Sequence, residues 1–215
     1  MNKIDNLIKE MCPNGVEYRA LNEILISIST GLNPRKNFKL NTQGASNYYL
    51  TVKEMSTGKI TFSNKTDFID ANAKKMINKR SKLEKDDILL SGIGTIGKVA
   101  IVDILTENWD CSESVFLLKP NKNLISSKFL MYIVGSSVIQ RQWELKSVGS
   151  TLKGIRMSVL QETKVPIPPL EVQNEIVKIL DKFVELEAEL EAELEARKKQ
   201  YEFYRNKLLT FEEAK

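Results

Sequence analysis

Up to about position 165 the apolar residues fall in short runs divided by polar turns; beyond position 170 they settle into one long stripe. Asn2 to Met11 predicts a short helix closed by the turn Cys12-Pro13-Asn14-Gly15. Val16 to Arg19 predicts a short strand, and Leu21 to Ile28 stays apolar up to the break at Thr30-Gly31. A polar loop, Asn33 to Lys39, follows. Tyr48 to Val52 and Ile60 to Phe62 are aromatic and β-branched, and Ser56-Thr57-Gly58 between them suggests a hairpin-like pair. Ile88 to Leu90 and Val99 to Val102 predict strands on either side of a glycine-rich turn, and Ser114 to Leu118 predicts another. Ser127 to Trp143 reads as one helix, with Phe129, Leu130, Ile133 and Val134 on a single face. Residues 1–165 are therefore expected to form one α+β domain of mixed α/β structure.

Pro166-Ile167-Pro168-Pro169 closes that domain as a stiff, extended connector, since proline continues neither a helix nor a sheet interior. From Leu170 to Leu209 there is no proline or glycine, and strong helix formers prevail. Forty residues predict a helix of about 60 Å. Its apolar positions, Ile176, Leu180, Phe183, Leu186, Leu190, Leu194, Tyr201, Tyr204 and Leu208, recur mostly at alternating three- and four-residue steps. Such a stripe needs a second helix against it, so residues 166–215 are expected to be a connector and a coiled-coil-like pairing helix. An antiparallel homodimer is the expected arrangement. A four-residue repeat lies inside the stripe: Leu186-Glu187-Ala188-Glu189, Leu190-Glu191-Ala192-Glu193, Leu194-Glu195-Ala196-Arg197.

Charge separates the same two regions. Residues 1–169 carry 24 Lys and Arg against 16 Asp and Glu, a net of +8, while residues 170–215 carry 8 against 12, a net of −4. A basic globule on an acidic rod assigns polyanion contact to the globule. The chain has no histidine, which removes Ser-His-Asp triads, Cys-His pairs and histidine metal ligands or bases. Its two cysteines, Cys12 and Cys111, are neither a disulfide framework nor a spaced metal site. No catalytic group, metal site or membrane span is expected. Met1-Asn2-Lys3-Ile4-Asp5 lacks the apolar core of a signal peptide, so the expected compartment is the cytoplasm.

Gly92-Ile93-Gly94-Thr95-Ile96-Gly97 spells the dinucleotide fingerprint, but that motif works only where its last glycine opens a helix. The residues that follow, Lys98 to Val102, are strand-like, so the glycines are expected to serve a tight turn or a close approach. The basic segments are better candidates for chemistry. Arg35, Lys36 and Lys39 lie in the polar loop beside Asn33 and Asn37; Lys98 follows the glycine turn. Lys153 and Arg156 flank Gly149-Ser150-Thr151, with Lys146 nearby. A further cluster is Lys74, Lys75, Lys79, Arg80 and Lys82. Lys and Arg contact phosphates, and Arg, Asn and Gln can read base edges in a major groove. Arg35, Lys36, Lys39, Lys98, Lys153 and Arg156 are taken as the candidate DNA-binding residues.

Several segments, in this order, resemble the specificity subunits of type I restriction-modification enzymes. They are Ser29 to Pro34, Ser91 to Val99, Gly149 to Ile155, Val165 to Gln173, and Tyr201 to Leu209. The resemblance implies a non-catalytic target-recognition domain that reads one half of a split sequence in double-stranded DNA. It implies modification subunits that bring S-adenosylmethionine and methylate adenine, and restriction subunits that add ATP- and Mg-dependent translocation and cleavage. Such a subunit ordinarily carries two recognition domains and two spacer helices; one of each here resembles a half-subunit form. Two other classes stay open, a stand-alone sequence-specific DNA-binding regulator and a nucleotide-dependent enzyme built on the glycine turn.

Overall fold

The computed structural model describes residues 2–56, 58–103, 107–148 and 153–211, and all side chains among them except those of Asn2 and Lys36. The chain divides into two compact units, Met1–Asn174 and Glu175–Lys215. In order, the first unit holds α1 (Asn2–Met11), β1 (Tyr18–Ala20), α2 (Leu21–Ile24), β2 (Leu25–Thr30), α3 (Pro34–Asn37), β3 (Asn47–Leu50), β4 (Met55–Ser56) and β5 (Lys59–Ile60). It continues with β6 (Phe68–Ile69), α4 (Ala71–Asn78), β7 (Ile88–Ser91), β8 (Val99–Ile101), β9 (Trp109–Cys111) and β10 (Val115–Pro120). Then come α5 (Ser127–Val134), α6 (Ser137–Lys146), α7 (Met157–Gln161), β11 (Lys164–Pro166) and the start of α8 (Leu170–Leu209). This is the α+β architecture expected, with the long C-terminal helix in place.

Strand β10 organises the larger sheet. Its run Val115 to Leu118 is wholly buried, as a strand covered on both faces must be. It lies between β2 and β7, and β7 pairs on to β8, all antiparallel. A second sheet has the order β6-β3-β9, with β3 and β9 parallel. Alternation along β3 sends neighbours to opposite faces. Leu50 joins the main core with Met55, Leu89, Trp109 and Leu117, while Tyr49 enters a smaller one with Ile69, Ala73 and Ile77.

Three local expectations change. The hairpin near Gly58 is shorter than predicted: β4 pairs with β5, while β3 pairs with β6 and β9; Thr57 lies outside the described residues. The helix expected over Ser127 to Trp143 is two helices. Gly135 caps α5, and Ser136 precedes α6 with extended φ and ψ of −70° and 145°. The Asn33 loop contains a helical turn, because Asn33 Oδ1 accepts the Arg35 N–H at 2.9 Å and Pro34 occupies the first helical position.

Pro166 ends an edge strand, β11, paired with β1, where its missing N–H is harmless. The first turn of α8 is anchored by Gln173, which is fully buried. Its Oε1 accepts the Ser126 N–H at 2.9 Å, and its Nε2 donates to the carbonyls of Leu124 at 2.9 Å and Pro168 at 2.8 Å. One amide thus joins the proline connector to the segment before α5. Replacing it strands the buried Pro168 carbonyl together with the half-buried Leu124 carbonyl and Ser126 N–H. Gln173→Leu is expected to destabilise the first unit by about 2–4 kcal/mol in urea unfolding; a change below about 0.5 kcal/mol would show that the amide holds nothing.

Candidate nucleic-acid interface

The glycine-rich segment is the turn of the β7–β8 hairpin. The Gly97 N–H donates to the Ser91 carbonyl at 3.0 Å and the Lys98 N–H to Ser91 Oγ at 2.8 Å. Gly94 and Gly97 sit at φ of +80° and +89°, the left-handed region that glycine enters freely. Gly92 serves close approach instead: a Cβ there would lie 2.0 Å from the Phe116 ring. Gln140 fixes the far side, with Nε2 donating to the carbonyls of Gly97 at 2.7 Å and Gly135 at 3.1 Å. A strand follows the turn, so no helix N-terminus is offered to a pyrophosphate.

A second segment is stitched to this turn through backbone groups. The Gly94 N–H donates to the Lys153 carbonyl and the Ile155 N–H to the Gly92 carbonyl, both at 2.9 Å. Val148 and Gly154 exchange hydrogen bonds at 3.1 and 2.9 Å. Gly149 to Leu152, including the expected Gly149-Ser150-Thr151 motif, lie outside the described residues. Ile155 is buried, whereas Lys153 and Arg156 are exposed. Lys98 is also exposed and its Nζ donates to the Val52 carbonyl at 3.3 Å. The structure therefore holds Lys98, Lys153 and Arg156 on two segments bonded to each other.

The Asn33 loop reaches the same region by another route. Tyr49 Oη donates to the Leu32 carbonyl at 2.7 Å, and Phe38 meets the Tyr49 ring edge-on at 5.8 Å. A Cβ on Gly31 would overlap the Cys111 carbonyl at 1.7 Å, so only glycine lets the loop start there. Asn33 Nδ2 donates to Glu113, and the neighbouring Ser114 carbonyl accepts the Gly92 N–H at 2.9 Å. The turn Ser112 to Ser114 thus touches both the loop bearing Arg35 and Lys39, each exposed, and the glycine turn. The side chain of Lys36 lies outside those described.

The Lys74 to Lys82 cluster is divided. Lys74 Nζ donates to the Trp109 carbonyl and Arg80 to Thr30 Oγ1, each at 3.1 Å, so these two cations brace neighbouring strands. Lys75, Lys79 and Lys82 remain exposed. Sequence reading missed Gln140 and Glu113, whose roles depend on contacts 43 and 80 residues away and leave no local trace. It also missed α4, although Asp70 accepting the Ala73 N–H, with apolar Ala73 and Ile77 one turn apart, is a helix-start signal.

Perturbed groups here belong to the interior. Burial pushes the Cys111 thiol and the Tyr49 phenol up, so both stay neutral. Burial also raises Asp110 to about 7, against the pull of the Cys111 N–H and Lys74. All three are buried, Asp110 completely, and out of reach of a substrate. Among the described residues, no group of three or more His, Cys, Asp or Glu side chains could hold a metal ion, and no helix is long and apolar enough to cross a membrane.

The first unit is thus a basic α+β fold with a glycine turn used as scaffold, and the second is one long exposed helix. Residues 13–196 match the family model described as the type I restriction modification DNA specificity domain, and the chain belongs to that family. It is 31% identical over 185 residues to a Methanocaldococcus jannaschii protein assigned as the type I restriction enzyme MjaX specificity subunit, covering 81% of this chain and 40% of that protein. It is 34% identical over 102 residues to the EcoBI specificity subunit of Escherichia coli, covering 46% of this chain and 21% of that one. Among solved structures, the HsdS subunit from Thermoanaerobacter tengcongensis aligns with TM-score 0.60 at 17% identity, over 89% of this chain and 44% of that one. The type I S subunit from M. genitalium aligns with TM-score 0.57 at 22% identity, over 91% and 46%. These two share the fold. The chain spans about two-fifths of the length of the first curated relatives it matches, 39% and 40%.

Proposed function

We propose that this chain is a non-catalytic DNA-recognition subunit of a type I restriction-modification complex, reading one half of a bipartite target in the cytoplasm. Membership of the specificity family, over a match of residues 13–196, carries the reading. The net charge of +8 over residues 1–169 supports contact with double-stranded DNA. Arg35, Lys36, Lys39, Lys98, Lys153 and Arg156 are the candidate contacts, Lys153 and Arg156 standing on a backbone-bonded segment that holds them to the glycine turn. Modification subunits supply S-adenosylmethionine and restriction subunits supply ATP and Mg; the chain itself takes no cofactor. In duplex-binding titrations, affinity should fall steeply with salt. Lys153→Glu with Arg156→Glu should weaken binding about tenfold or more and flatten the salt slope by about two; an unchanged slope removes that segment from the interface.

Two such chains pair through their long helices, antiparallel, into a homodimer that copies a two-domain subunit with twofold symmetry. The stripe from Phe183 to Leu208 supports this, because its large apolar side chains are exposed. Twofold symmetry calls for an interrupted palindrome as target. The repeat Leu186 to Arg197 then acts as a ruler, since four helical residues add about 6 Å and DNA advances about 3.4 Å per base pair. Deleting Leu190 to Glu193 and mapping methylated sites with the cognate modification subunit should shorten the spacer by roughly one to two base pairs, with half-sites unchanged. An unchanged spacer in an active complex discards the ruler, and unrelated half-sites discard the homodimer.

A further inference from the structure

The exposed stripe of α8 carries two charged residues where its spacing calls for apolar ones, and their positions specify a register. Stepping alternately by three and four from Ile176 gives Leu180, Phe183, Glu187, Leu190, Leu194, Arg197, Tyr201, Tyr204 and Leu208. Eight of these ten are large and apolar; Glu187 and Arg197 are not. All from Phe183 onward are exposed along one uninterrupted helix, Leu190 at 67% and Tyr201 at 66%. Arg197 is held loosely, 3.5 Å from Glu193 and 3.3 Å from Gln200.

We infer that a second copy of this chain packs antiparallel on this stripe with its twofold axis at Ala192, set by two reciprocal ion pairs between Glu187 of each copy and Arg197 of the other. The inference rests on the homodimer proposed above. In an antiparallel pair each seam residue faces the one at equal distance across the axis. Centred on residue 192, Leu190 faces Leu194, Phe183 faces Tyr201, Leu180 faces Tyr204 and Ile176 faces Leu208. Glu187 then faces Arg197 twice. Among these seam positions no apolar residue meets a charge; Leu186, flanking the seam beside Glu187, lies level with Lys198, whose aliphatic stem suits an apolar neighbour.

Neighbouring registers lose this match. Sliding one heptad in one direction sets Glu187 against Tyr204 and Arg197 against Leu194; sliding in the other sets Glu187 against Leu190 and Arg197 against Leu180. Each slip buries four charges without partners, which costs far more than a paired charge. A parallel, in-register dimer fares no better, since it stacks Glu187 on Glu187 and Arg197 on Arg197. One polar pair in an apolar seam is a known device for selecting register and orientation. The wider charge pattern adds little: six glutamates alternate from Glu185 to Glu195 around the axis, and only Glu185 and Glu187 lie level with cations, Lys199 and Arg197. Glu191 and Glu193 meet their own copies near the axis, but at the wet margin of the seam, where like charges are screened.

Register matters because it sets reach. With the axis at residue 192, the two Glu175 positions lie about 50 Å apart along the rod, and a one-heptad slip alters that by about 10 Å, roughly three base pairs. The ion pair therefore guards the spacer of the target.

The test uses the full chain in four forms: wild type, Glu187→Arg, Arg197→Glu and the double exchange. Both sites are exposed, and arginine and glutamate are equal helix formers, so circular dichroism should match throughout. By sedimentation equilibrium, each single variant should dimerise about a hundredfold more weakly, from repulsion at both pairs. The double exchange should return to within about threefold of wild type, and the two single variants mixed should form a heterodimer. Single variants that dimerise like wild type, or a helical double exchange that stays weak, overturn the register while leaving pairing intact. A double exchange as weak as the singles, with wild type equally weak, identifies a parallel pair and overturns it too. A monomeric wild type overturns the homodimer itself.

Discussion

A helix that runs without a break from Leu170 to Leu209 must hide its large apolar side chains, and from Phe183 onward they are exposed. Phe183, Leu190, Leu194, Tyr201, Tyr204 and Leu208 would each gain on the order of 1.5–3 kcal/mol if fully covered. The ion pairs along the same helix, such as Lys182 with Glu185 and Lys199 with Glu195, lie in water and offset little of that. The proposed pairing of rods answers this constraint, and under that proposal the symmetry of the reader and the spacing of its two recognition units depend on the rod.

The globular unit solves a different problem, holding cationic side chains on backbone that cannot drift. Glycine does this at three places. Gly31 lets the Asn33 loop leave against the Cys111 carbonyl, Gly92 clears the Phe116 ring, and Gly97 takes a left-handed turn locked by Gln140. Backbone hydrogen bonds then tie Lys153 to Gly94 and Ile155 to Gly92. Arg35, Lys39, Lys98, Lys153 and Arg156 are exposed on this framework. Such a scaffold allows base-reading side chains to change while the chain path persists.

What was legible in the sequence was local. The rod, the N-terminal helix and the β7–β8 hairpin follow from periodicity and from turn residues acting within a few positions. The glycine turn was separable from a nucleotide fingerprint because β-branched residues follow it. What was not legible depended on distant partners: β3 pairs with β9 some sixty residues on, so its neighbour could not be guessed from Ser56 to Gly58. The break at Gly135-Ser136 was readable and was overridden by the apolar spacing on both sides. In the candidate site, the cations were visible but their duties were not. Lys74 and Arg80 look like Lys75 and Lys79 in sequence, and only the fold shows that the first two brace Trp109 and Thr30.

The central claim is that this chain works as two copies joined by their rods. Light scattering on the purified chain at micromolar concentration tests it most directly, because one chain weighs 24.5 kDa. The account predicts a species of twice that mass, lost when Leu190 and Leu194 are replaced by glutamate. A mass of one chain, the same with and without those substitutions, would contradict it.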